Sequence, residues 1–470
     1  MLRLTNSFDQ INDPEHPTDV ETWVISDPSV QELLHVMKQA TSLTLLIMAA
    51  WRFARKLTVC LVENMLAQRA QEATTWPACP ECGRCLQSKG FVSRQILTLM
   101  GVIHWKRRVG RCPHGCKIGQ VAPLDDELGL VAQQRTSSEV KQIACALAIF
   151  VPFETAAALL HRWFELPITA GTVWGWVQTV GKSAMERLQR ELDRLNEGIA
   201  PAAEPLDTRT AAQPLLIGGD GVMVPFRPTP GSPKGRVVWR EVKVAILARL
   251  RRQTTRQGQA VSRLERRRLV AVLGDIDALA PRLWLEALRQ GVASAPLVAW
   301  VSDGGRGFWR LFRERFEKKA TGILDFYHAA QHLWTAAAAW LDGRTTRARN
   351  WFQNARHQLR HGESAAILTE LEATLALDGL PTTARKTLQN LYNYLDKHRD
   401  HLDYEQFKAL GLPLGSGMVE SACKWLIQQR FKGVGMRWSE DGFNHLLHLR
   451  LAWVNGRFDS LFLPDLSPNC

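Results

Sequence analysis

Beyond residue 214 the apolar residues stop recurring at helical spacing and begin to run in short blocks or to alternate. That change limits the fold more than any other feature of the chain. PLLIGGDG reads as a buried strand ending at Asp220, REVKVAILARL as a second strand and RRLVAVLGD as a third. A helix through PRLWLEALRQG leads to LVAWVSDGG, an apolar strand ending at Asp303, and the helix FWRLFRERFEKK and the strand ATGILDF complete the series. Strands and helices in this order call for an α/β domain with helices packed on a sheet.

Upstream the pattern is different. Residues 1–75 are an N-terminal arm, with acids and prolines up to about Trp23, followed by helical spacing of Leu, Val, Met and Ala from Val30 to about Gln71. A cysteine-rich segment occupies 76–125 and a helical region 130–198. IAPAAEPLDTRTAAQP, at 199–214, is rich in proline and alanine and marks a linker. The α/β core begins at 215 and runs to 328, a helical insertion fills 329–410, and a last helical region covers 411–470.

The formal charge is +13, with 59 Lys and Arg against 46 Asp and Glu. Such a surplus suits a polyanionic partner such as nucleic acid, although a basic surface can also serve solubility. The polar start, MLRLTNSFDQINDPEHP, does not read as a signal peptide, and LTLLIMAAW is too short to span a bilayer. Nine cysteines in a chain without a leader point to a reducing cytoplasm, where clustered cysteines bind metal more often than they form disulfides.

CPECGRC supplies Cys79, Cys82 and Cys85, and RCPHGC supplies Cys112, His114 and Cys116. Two close pairs can complete the tetrahedron of a structural Zn²⁺. RQILTLMGVIHWKRRVG between them alternates around a glycine, as the hairpin of a zinc ribbon does. The preferred ligands are Cys79, Cys82, Cys112 and Cys116, with Cys85 and His114 as substitutes. His104, Lys106, Arg107, Arg108 and Arg111 on that hairpin suit phosphate contact; a solvated basic strand has the same composition. PFETAAALLHRWFELPITAGTVWGWVQTVGKSA adds a helix over Phe153–Phe164, a short turn and a second helix capped by Thr169. Thr172, Trp174, Gln178 and Lys182 lie along it with helix-turn-helix spacing, a pattern that a plain helical hairpin shares.

Phosphoryl transfer by two divalent ions needs carboxylates that converge from separate elements. Asp220 in GGDGVMVPF and Asp303 in VSDGGRGFW each end a strand, and Glu420 in GSGMVESACKW opens a helix behind glycines. Asp–Gly after a strand also makes a simple turn, and Glu420 alone could serve its helix N-terminus. Asp275, Asp277 and Asp325 compete for the second position.

GGDG, VSDGGRGFW, DFYHAAQHLW and GSGMVESACKWLIQQRFKGVGMRW together resemble the DDE transposases of bacterial insertion sequences, of the ISKra type and related to the Mutator-like transposases. The resemblance covers about 220–462. It implies an RNase H-like catalytic core with an all-helical insertion, preceded by a zinc-ribbon and helical DNA-binding region. Asp220, Asp303 and Glu420 match its three acids and would hold Mg²⁺ or Mn²⁺. Asp325 and His328 match a short Asp-x-x-His motif, which makes Asp325 a supporting residue. Lys424, Arg430, Lys432 and Arg437 would lie along DNA phosphates. Implied with these are cleavage and strand transfer at terminal inverted repeats, double-stranded element ends and target as partners, no membrane, and a homodimer or larger assembly in a bacterial cytoplasm at the nucleoid. A domesticated DNA-binding protein, or an RNase H-like nuclease that does not join strands, is the alternative. The proline-rich RPTPGSPKGRVVW after the first strand departs from the pattern and blurs the strand limits there.

Overall fold

The computed structural model of the chain describes residues 28–228, 237–254, 258 and 260–463. It divides into two compact units, one of residues up to 148 with 152–174, the other of 149–151 and 175 onward.

In the first unit, helix α1 (Pro28–Lys38) packs on the long helix α2 (Leu43–Gln71). The Ser42 hydroxyl accepts the N–H of Leu45 and caps α2. Strands β1 (Gln87–Thr98) and β2 (Gly101–Arg111) form an antiparallel hairpin, and Leu66 of α2 joins Ile96 and Trp105 in a small core against it. The short helix α3 (Pro123–Glu127) places Asp125 under the hairpin, where Arg94 and Arg107 hold it. Helices α4 (Ser138–Phe150) and α5 (Phe153–Phe164) and the start of α6 (Ala170–Asn196) follow. Thr169 Oγ1 accepts the N–H of Thr172, the cap its sequence position suggests.

The linker stretch at 199–214 is held by its own contacts. It contains a one-turn helix, α7 (Thr208–Ala211), capped by Asp207. Glu204 sits between Arg268, at 2.6 Å, and Arg457. Burial works to raise its carboxyl, but the two guanidiniums overcome burial and bring it down to about 2. A depressed carboxylate stabilises the fold above its unfolded value near 4.5 and loses that contribution as pH falls toward 2. Melting curves should therefore show wild type more stable than Glu204→Gln at pH 7, with the gap closing between about pH 4.5 and 2.

The second unit is built on a five-stranded sheet in the order β5-β4-β3-β6-β7. Strands β3 (Leu215–Phe226), β4 (Val238–Thr254) and β5 (Ala260–Leu273) form an antiparallel meander. Strands β6 (Val298–Ser302) and β7 (Ala320–Leu324) run parallel to β3 and to each other. Parallel neighbours need crossovers, supplied by α8 (Ile276–Arg289) before β6 and by α9 (Arg306–Leu311), with a π-helical turn at Phe312–Phe316, before β7. VAWVS of β6 is buried along its whole length, which is why it reads as a continuous apolar block and not as an alternation. Trp300 at its centre lies 5.1 Å from Phe316 and 5.9 Å from Phe312, ring to ring.

Five helices then follow: α10 (Phe326–Leu341), α11 (Thr346–Arg360), α12 (Ser364–Leu375), α13 (Thr382–Lys397) and α14 (Tyr404–Ala409). Helix α15 (Gly417–Cys423) continues through a π-helical turn at Lys424–Gln428 into α16 (Gln429–Phe431), and α17 (Glu440–Val454) closes the unit. None of the described helices is long and apolar enough to cross a membrane.

Strands β4 and β5 are longer than the sequence expectation, and the limit that bears on the site is that of β3. β3 does not end at Asp220 but runs on to Phe226, paired with β4 from Leu215↔Arg249 to Phe226↔Val238. Asp–Gly is a turn dipeptide only when nothing else satisfies its backbone; here the long partner strand does.

Candidate active site

Asp220 and Asp303 meet through strand register. Gly218 of β3 pairs with Val301 of β6, so the two aspartates stand two residues beyond the same paired position on adjacent parallel strands. Residues two apart on a strand share a face, and neighbouring strands lie roughly 4.8 Å apart. Asp220 Oδ1 accepts the N–H of Gly221 at 2.6 Å. Asp303 Oδ1 accepts the N–H of Gly305 at 3.0 Å at the start of α9, and its carbonyl accepts the Trp309 indole N–H at 2.6 Å. The Trp309 ring stacks on His401 of the segment after α13, with centroids 4.3 Å apart.

Glu420 arrives on α15, which packs on β3 and β4. Gly218 of GGDG makes this approach possible, while Gly219 gives room to Phe308 of α9. A Cβ on Gly218 would lie 2.7 Å from Val419 Cγ2, and one on Gly219 would lie 2.3 Å from Phe308 Cε1. Gly417, just before Glu420, has open space instead, so the close approach of α15 comes from Gly218 on the sheet and not from Gly417. Burial raises the Asp220 carboxyl, and the negative charges of Asp303 and Glu420 raise it further, while a backbone N–H and His328 pull against them. These carboxylates therefore act on one another electrostatically. They do not form one tight cluster: among the described residues, Cys79, Cys82, Cys112 and Cys116 are the group in which three or more ligand atoms lie within 4.8 Å of one another.

Asp325 is 2% exposed and its carboxylate is fully engaged. Oδ1 accepts the N–H groups of Tyr327 at 2.7 Å and His328 at 3.0 Å, capping α10. Oδ2 accepts the N–H of Ser416 at 2.6 Å and the Ser416 hydroxyl. Burial opposes its charge, but His328 and Ser416 hold its pKa well below the usual carboxylate range. Asp325 thus fastens the turn that delivers Glu420. His328 Nδ1 lies 3.5 Å from Asp325 Oδ2, and that carboxylate, together with Asp303 and Glu420, keeps the imidazole above its ordinary pKa despite burial.

Of the competing acids, Asp275 caps α8 by accepting the N–H of Ala278, and Asp277 pairs with Arg310 at 2.6 Å. Two groups beside Asp220 escaped the sequence reading. Glu241 comes against Gly221 and pairs with Lys243 at 2.7 Å, and the buried Cys423 thiol is pushed up to about 12 by burial and by Asp220 and Glu420. Cys423 stands three residues after Glu420 on the same helix face, a spacing visible in the sequence.

Cys79, Cys82, Cys112 and Cys116 converge, with Cys82 Sγ and Cys112 Sγ 3.4 Å apart, and could hold a structural metal such as zinc. Each pair is bent by a left-handed glycine, Gly83 at φ 72° and Gly115 at φ 77°. The N–H of His114 points at Cys112 Sγ, at 3.3 Å, so His114 takes part through its backbone. Cys85 is exposed and outside the group. Burial opposes ionisation of Cys112, but N–H donors from Cys116 and His114 and the neighbouring thiols bring it down to about 6.

The basic candidates divide by burial. Arg107, expected at phosphates, turns inward: it is 5% exposed, with Nε 3.1 Å from Asp125 Oδ2 and Nη1 donating to the Val92 carbonyl. Side chains alternate along β2, so Lys106 and Arg108 stand on the opposite face, Lys106 exposed and Arg108 5.2 Å over the Phe91 ring. Arg430 is likewise interior, 2% exposed and 5.3 Å over the Trp438 ring. Lys424, Lys432 and Arg437 are exposed. On α6, Trp174 and Lys182 are exposed, but Gln178 bonds His445 at 2.7 Å and so does not belong to a free reading face.

No protein-family model matches the sequence, and no curated protein does. Among solved structures, the Drosophila P element transposase strand transfer complex aligns with a TM-score of 0.24 and 12% identity, over 72% of this chain and 83% of that chain. A likeness that low fixes neither fold nor function.

Proposed function

We propose that the chain is a DDE-type transposase, of the ISKra kind related to the Mutator-like enzymes, with an RNase H-like core. The observation that carries this is the placement of Asp220 and Asp303 at matching positions on adjacent strands, with Glu420 on a helix that packs on the first of them. The sheet order, a three-strand meander followed by two parallel strands through helical crossovers, supports the RNase H-like assignment.

The three acids suit hard divalent cations: every donor is a carboxylate oxygen, and Asp220 already bears the cost of burial beside like charges. Asp220, Asp303 and Glu420 would hold two Mg²⁺ or Mn²⁺ ions, which when bound activate the attacking oxygen and stabilise the leaving one. The protein contributes position. Asp303 is fixed by Gly305 and Trp309, and Glu420 by the clamp between Asp325 and Ser416. Water cleaves a phosphodiester at the element end, leaving a 3′-hydroxyl. That hydroxyl attacks a target phosphodiester, exchanging one ester bond for another without an external energy source. The cysteine-bearing hairpin and α5–α6 would hold the terminal repeats, with Lys106, Arg108, Lys424, Lys432 and Arg437 along the backbone.

The test is joining. Labelled duplexes carrying the inverted repeats that flank the gene, incubated with the full chain, a target plasmid and Mg²⁺, should yield plasmid-joined label. Cleavage without joined product would make the chain a nuclease, and no Mg²⁺-dependent cleavage of any duplex would remove the assignment.

A further inference from the structure

Tyr327 is the second residue after the Asp325 cap, behind the buried Phe326, and it is 64% exposed beside the acid site. Folding alone gains little from leaving such a ring in water. The ring is nonetheless held in place. Phe326 meets it edge-on at 5.6 Å, and Gly415 backs it so closely that a Cβ there would lie 2.6 Å from Tyr327 Cδ2. Any side chain at 415 would displace the ring, so the glycine keeps the aromatic surface in one position.

That surface lines a cavity of about 840 Å³. Glu420 and His328 lie on the same cavity, as do two exposed cations, Arg360 of α11 and Lys408 of α14. Leu216 and Leu250 give it apolar wall. The size is that of a small-molecule pocket, roughly 300–1,000 Å³, and far below what a duplex occupies. An aromatic face, an apolar wall and cations suit one nucleotide: a base to stack and phosphates to neutralise. A paired base inside a duplex exposes no face to a side chain, so a nucleotide must leave the stack to fill this space.

Taking Asp220, Asp303 and Glu420 as the cutting site, we propose that this cavity receives one unpaired nucleotide next to the scissile phosphate. Its base stacks on Tyr327, and its flanking phosphates face Arg360 and Lys408. The substrate is thus a duplex opened at its cleavage point, and Tyr327 selects for that opening.

The experiment compares wild type, Tyr327→Phe and Tyr327→Ala on the flanking-repeat duplex, fully paired or mismatched at the nucleotide beside the cleavage point. Tyr327→Phe should cleave the paired duplex within about twofold of wild type, whereas Tyr327→Ala should be slower by roughly ten- to a hundredfold, the size of one lost base stack. The mismatch should restore most of the Tyr327→Ala rate. In parallel, 2-aminopurine at the same nucleotide should brighten when wild-type protein binds in Ca²⁺, reporting unstacking from its neighbours. Tyr327→Ala cleaving the paired duplex as fast as wild type, or losing the same factor on the mismatched duplex, overturns the proposal. So does a 2-aminopurine signal that stays flat at every position around the cut. If wild type cleaves and joins DNA while these results go against Tyr327, only the unpaired-nucleotide inference fails. If wild type cleaves no DNA at all, the cutting site itself is wrong.

Discussion

Replacing Asp303 by alanine is expected to reduce Mg²⁺-dependent DNA cleavage by roughly a thousandfold or more, the scale of several kcal/mol of transition-state stabilisation. Glu420→Ala should do the same. Neither change should unfold the chain. The Asp303 side chain makes a local hydrogen bond to Gly305, a cap-like contact whose loss costs only about 1 kcal/mol, and Glu420 is exposed. Asp220 offers a sharper signature. Burial and the charges of Asp303 and Glu420 raise its carboxyl, so its ionised form weakens the fold at neutral pH. Asp220→Asn should therefore abolish cleavage while raising the melting temperature, as expected where a site holds charge for function at the expense of stability. Undiminished cleavage by any of the three variants removes that acid from the site. A lower melting temperature in Asp220→Asn would show that the carboxylate serves the fold.

The second large effect belongs to the cysteine cluster. If Cys79, Cys82, Cys112 and Cys116 hold Zn²⁺, the purified chain should carry one equivalent, and removing it should unfold the hairpin segment. Structural zinc contributes on the order of 10 kcal/mol or more to small domains of this kind, far beyond what the small core around Cys79, Leu86 and Cys112 supplies. Cys112→Ser should lose the metal and the ordered hairpin, read by elemental analysis and by proteolysis between residues 76 and 125. Cys85→Ser is the control: its thiol is exposed and outside the group, so metal content and protease resistance should not change. Zinc loss from Cys85→Ser would overturn the ligand assignment.

Much of this was legible in the residues because it depends on local chemistry. Cysteine spacing alone singled out Cys79, Cys82, Cys112 and Cys116, since two close pairs, with two and three residues between their cysteines, can meet only if the hairpin between them brings them together. Helix α5 and the Thr169 cap followed from apolar spacing and a hydroxyl at the right offset. Misread features involve a partner distant in sequence. Asp220 looked like a strand end because its turn dipeptide is local and the β4 strand that extends it begins 18 residues later. Arg107 and Arg430 looked like phosphate contacts because composition counts charge without direction. Asp125 and Trp438 are what turn them inward.

The sequence by itself determined the element order and singled out the four preferred cysteines and the three candidate acids, since periodicity, spacing and residue type are properties of neighbours along the chain. Only the tertiary structure decided that Asp220 and Asp303 share a register position on adjacent strands and that Asp325 clamps the turn before Glu420. It alone decided, too, that Gly218 opens the way for α15 and Gly219 for Phe308 of α9. Those facts join residues tens to hundreds of positions apart, and such contacts are fixed by sheet pairing and close packing, which no local pattern encodes.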